Sequence, residues 1–156
     1  MAEFNLKQLL AFIEESPEKS IPKSILIKEI NNIRETFKHH VELAVKWIKY
    51  SFLAGVFYNL GVVAYIIYNF FENQESMLPK LYIMDIFVSI IFLAGLQKKS
   101  RLCAFILLMY FILSNLIHIN YQGLNIANIL LSMILILFYI LGIIGTFIYH
   151  KYKDYI

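Results

Sequence analysis

Between residues 51 and 148 the chain is almost uninterrupted apolar sequence, broken by three short polar segments. Few folds accept such a run. A bilayer core about 30 Å thick is crossed by about 20 apolar helical residues at 1.5 Å rise each. Four stretches of that order fit the chain: residues 51–71, 81–96, 102–119 and 124–149. The second and third lie near the short limit, and the fourth is long enough to tilt or protrude. The connecting segments, 72–80, 97–101 and 120–123, are short, so consecutive helices should be antiparallel neighbours. The expected fold is an all-α membrane protein, a four-transmembrane-helix bundle over residues 49–150. A cytoplasmic helical region (1–48), continuous with the first span, precedes it, and a short tail (151–156) follows.

Composition agrees with this reading. Residues are 60% hydrophobic and only 16% charged, where soluble domains carry roughly 25% charge. The net charge of +3 is dispersed, without the basic stripe of a nucleic-acid-binding face. Cys103 is the single cysteine, so no intramolecular disulfide forms. The segment Met1 to Lys7 lacks the basic start, apolar run and cleavage site of a signal peptide, so the first span is expected to direct insertion. The abundance of Ile, Asn, Lys and Tyr suits an AT-rich genome, and a bacterial cytoplasmic (inner) membrane is the expected location.

Basic residues set the orientation. Lys98, Lys99 and Arg101 follow the second span, Lys151 and Lys153 follow the fourth, and Arg34, Lys38, Lys46 and Lys49 approach the first. The other two loops together hold only Lys80. Short loops rich in Lys and Arg stay on the cytoplasmic side, so both termini are expected inside. Trp47, Tyr50, Tyr149 and Tyr152 would line the inner interface, and Tyr68, Tyr82 and Tyr121 the outer one.

Upstream of the spans, Leu6, Leu9, Leu10 and Ile13 share one face of a short acidic helix, better suited to packing on protein than to lying on anionic lipid. Pro17 and Pro22 punctuate the linker that follows. Leu26, Ile30, Ile33, Phe37, Val41, Ala44 and Ile48 then step by threes and fours, a near-heptad seam opposite a charged face. Folding back onto the N-terminal helix and self-association along the seam are both compatible with it. Small or polar residues recur at helical spacing in the first span (Ser51, Gly55, Asn59) and the fourth (Gly142, Gly145, Thr146), the pattern that lets membrane helices approach closely.

Polar residues within spans are costly and need a reason. Asp85, Asn115, His118, Asn125 and Asn128 should all fall in the outer leaflet, with Asn69 closing the first span. Asp85 and Ser89, and Ser114 and His118, stand four apart and share helix faces. A carboxylate facing an imidazole could relay protons or hold an ion; capping helix ends beside interfacial water is the simpler role. His39 and His40 diverge on their helix and make a poor metal site. No cofactor or metal motif is present. Lys98, Lys99 and Arg101 are candidates for contact with anionic lipid, or act only as topology signals. The expected function is therefore non-catalytic: an interaction or assembly subunit, self-associating (with pore character) or bound to a protein partner. A toxin- or bacteriocin-immunity role is the alternative. An ion-coupled carrier or intramembrane enzyme using Asp85 and His118 comes third.

Overall fold

A computed structural model describes residues 23–71, 78–122 and 126–155. The expected helix at residues 3–15 and the linker after it lie outside these. Among the described residues there are four helices and no strand: α1 (Lys23–Phe71), α2 (Leu78–Gln97), α3 (Arg101–Gln122) and α4 (Ile126–Tyr152), with a terminal 3₁₀ turn (Lys153–Tyr155). Helix α1 runs unbroken for 49 residues because no glycine pair or proline interrupts it. At 1.5 Å per residue it is roughly 70 Å long. Helix α2 starts three residues ahead of the expected span, since Pro79 in its first turn supplies a ready-made φ and gives up an N–H that has no intrahelical partner.

Three helices, α1, α3 and α4, are long and apolar enough to cross a membrane. In α2 the apolar stretch is shorter, Tyr82–Gln97. The surface agrees with lipid as the solvent: Phe57, Phe87 and Leu102 are 65–70% exposed, within a continuous apolar coat that no water-soluble monomer tolerates.

The helices pack in a ring, α1 beside α2 and α4, and α3 beside α2 and α4. Paired residues make each neighbour antiparallel: Asn59 with Ser89 (α1–α2), Asp85 with His118 (α2–α3), Asn115 with Ser132 (α3–α4). The core sits toward the ends of the helices that carry the basic residues, built on Ile48, Leu93, Leu96, Ala104, Leu107, Phe111, Leu135 and Tyr139. Helices α1 and α4 meet there almost backbone to backbone. A Cβ at Gly145 would stand 2.8 Å from the Ala44 carbonyl oxygen and 3.0 Å from Ile48. One at Gly142 would collide with the Ser51 side chain. Ala44, Ile48, Ser51 and Thr146 are correspondingly buried, and Phe37 stacks on Tyr152 at 5.1 Å. The part of the α1 seam from Phe37 to Ile48 is thus occupied by the chain's own α4 and tail.

The turn between α2 and α3 is fully specified. Ser100 N–H donates to Gly95 O and Lys99 N–H to Leu96 O, with Lys99 at φ 62°, the Schellman pattern. A lysine in this left-handed position is strained. It is held by its ammonium over Tyr149, 3.9 Å from the ring centroid, and by a bond from His150 Nε2 to its carbonyl. Ser100 then caps α3, its Oγ accepting from Cys103 N–H. Arg101 lies over Phe147, so two of the three basic residues here rest on aromatic rings of α4.

Candidate functional site

Asp85 lies seven residues into α2, about 10 Å along the helix at 1.5 Å per residue. Its carboxylate accepts three hydrogen bonds, all from α3: Tyr110 OH at 2.5 Å, Ser114 Oγ at 2.7 Å and His118 Nε2 at 2.6 Å. The three donors stand four residues apart, so they form one ladder along the helix face. Tyr82, one turn from Asp85, stacks flat on His118 with centroids 4.2 Å apart. The Nδ1 atom of His118 is buried and has no hydrogen-bond partner among the described residues. Spreading a carboxylate's lone pairs over three donors is how an acidic group is tolerated inside a membrane bundle. The same geometry latches α2 to α3.

The remaining expected residues divide into separate groups. Ser89 does not join Asp85 but donates to Asn59 Oδ1 at 2.8 Å, tying α2 to α1. Asn115 donates to Phe111 O and accepts from Ser132 Oγ at 2.6 Å, tying α3 to α4. Asn128 is exposed near the start of α4. Asn125 and the side chains of Asn69 and Leu26 lie outside the described residues. Below the latch, Tyr58, Phe111 and Tyr139 meet edge to face. Ser51 Oγ is buried and unbonded, so Ser51→Ala should leave thermal stability within about 0.5 kcal/mol of wild type. By contrast Asn59→Leu should cost about 1–2 kcal/mol in detergent unfolding, because Ser89 loses its interhelical acceptor.

Tyr110, Tyr82 and Ser132 are site residues that sequence reasoning missed. The signal for Tyr110 was present, since residues 110, 114 and 118 repeat at the spacing of one helix face. Tyr82, three residues before Asp85, was expected only as an interfacial aromatic, and Ser132 carried no mark. Among the described residues no three His, Cys, Asp or Glu side chains converge as metal ligands would.

Beside the latch, residues of α1, α3 and α4, with Tyr82 of α2, line a partly open cavity of about 720 Å³. His118 and Tyr82 form part of its wall, along with Asn115, Asn128 and Ser132. Against known proteins, the chain matches no family model, no curated sequence and no solved structure.

Proposed function

We propose that the protein is a four-span bundle with both termini in the cytoplasm, α1 rising from the cytoplasm straight into the first span, and that it works by binding rather than catalysis. In this reading it is an interaction or assembly subunit of a bacterial cytoplasmic membrane. The basic residues at one end of the bundle support the orientation. A short α2 is accommodated by tilt of its neighbours or local thinning of the bilayer.

The observation that carries the reading is the leading part of α1. From residue 25 to 36 every described side chain is exposed except half-buried Ile30, and the exposed ones include Ile25, Ile27 and Ile33 at 53%, 56% and 44%. In lipid this would be unremarkable, but the segment also carries Lys28, Glu29, Arg34 and Glu35, which belong in water. We take this mixed charged and apolar surface, with Ile30 and Ile33 on the seam, as the face that contacts protein. A photocrosslinking amino acid at Ile27 or Ile33, in native membranes, should give a discrete adduct, and one at lipid-facing Ile91 should not. A mass of two copies assigns the segment to self-association, and any other mass to a protein partner. No adduct from either position contradicts the reading.

A second reading is favoured by the 2.6 Å contact between Asp85 and His118: an ion-coupled carrier or intramembrane enzyme using that pair. It requires that Asp85→Asn abolish transport or turnover while the bundle stays folded.

A further inference from the structure

We infer that the cavity between α1, α3 and α4 is a binding site for one hydrocarbon chain of an outer-leaflet lipid whose head offers an uncharged hydrogen-bonding group, an ester, amide or hydroxyl. The leaflet rests on the orientation proposed above; the site itself does not.

The cavity is graded along the helix axes. Its end nearer the basic residues is lined by Ala54, Ile112, Leu135 and Phe138, and its opposite end by His118 and Asn128. Asn115 and Ser132 sit between, bonded to each other, with one Asn115 amide hydrogen left to give. No Asp, Glu, Lys or Arg lines it among the described residues, so a charged head finds no counter-ion there. An amphiphile enters with its polar end outward and its tail toward mid-membrane, the orientation of a lipid in the outer leaflet. Size decides against a protein segment. One turn of helix, about 10 Å across with a 5.4 Å pitch, occupies roughly 420 Å³. The cavity of about 720 Å³ therefore holds less than two turns, yet lies within the range of small-ligand pockets. Gly61 lines it, and a Cβ there would meet nothing within 4 Å. Helix α1 thus has no close neighbour at Gly61.

The probe is a monoacylglycerol with a photoreactive diazirine in mid-chain, added to the full chain in nanodiscs of phosphatidylethanolamine and phosphatidylglycerol. Labelled peptides are mapped by mass spectrometry. Label should concentrate on cavity-facing positions of α1 and α4 and be displaced by excess unlabelled monoacylglycerol. Gly61→Phe, which places a ring where a Cβ meets open space beside the cavity, should cut that labelling about fivefold or more, while Leu113→Phe on the lipid-facing surface leaves it unchanged. Asn128→Leu should weaken displacement by monoacylglycerol but not by a chain-matched alkane. Label spread evenly over the lipid-facing surface, undisplaced and indifferent to Gly61→Phe, is annular lipid only and overturns the inference. Nanodiscs have no inside, so a wrong orientation would leave a positive result standing and change only the leaflet. Absence of a protein partner for α1 would not affect it.

Discussion

Gly145→Leu is expected to separate α1 from α4 and to cost about 3 kcal/mol or more, the upper range for overpacking. The obstacle at Gly145 is main chain. Its Cβ would lie 2.8 Å from the Ala44 carbonyl oxygen, with Ile48 at 3.0 Å and Trp47 at 3.3 Å. A side-chain tip can rotate away, but a carbonyl inside a helix moves only with the helix. Once α1 and α4 part by the width of an added methyl, Ile48, Ser51 and Gly142 lose their packing together, which is why one substitution should act across the interface. Gly55 is a milder site, because the atoms its Cβ would meet first are the methyls of Leu93. Gly61→Leu is the internal control and should stay within about 0.5 kcal/mol, since open space surrounds it. Titration of helicity with sodium dodecyl sulfate in mixed micelles measures all three. Equal midpoints for Gly145→Leu and Gly61→Leu would mean that the close approach of α1 and α4 is absent in the membrane.

Asp85→Ala should be the second large loss, about 2–4 kcal/mol. Interhelical hydrogen bonds in membranes average about 0.6 kcal/mol and reach about 1.7 kcal/mol, and three end on this carboxylate. Removing the acceptor also strands Tyr110, Ser114 and His118 as unpaired donors, the costly half of breaking a buried polar pair. The effects should be non-additive. Tyr110→Phe alone should cost about 1 kcal/mol, but in the Asp85→Ala background nothing further, because its partner is already gone. Asp85→Asn retains an acceptor oxygen and should fall between. Fully additive losses would show that Asp85 and Tyr110 do not bond. A stable, folded Asp85→Asn protein is also what the ion-coupled reading needs for its own test.

The helices were legible in the sequence because apolar length is a one-dimensional signal. Helix α1 could be followed from residue 23 to 71 by the absence of breakers, and the turn at residues 97–101 by its polarity. Small residues were legible as a stripe, but not their partners: that Gly142 faces Ser51 and Gly145 faces Ala44 depends on the rotation of two helices about their axes, which apolar surroundings on every side do not encode. For the same reason the polar residues within the spans looked like one cluster. Helix rotation sends Asp85 to α3, Ser89 to α1 and Asn115 to α4. The cavity had no signature at all, since it lies between the faces of three helices, away from the close contacts at Gly142 and Gly145.

Four spans with both termini inside are the premise on which the cytoplasmic α1 segment and the outward-facing cavity depend. The direct measurement is labelling of single cysteines, in a Cys103→Ser background, by a membrane-impermeant maleimide on intact cells. Ile27→Cys, Lys98→Cys and Lys153→Cys should react only after permeabilisation, and Asn120→Cys should react from outside. Helix α2, with the shortest apolar stretch, is the critical one. Should it fail to cross, Lys98→Cys and Lys153→Cys would not share a side with Ile27→Cys, and labelling of either in intact cells would contradict the account.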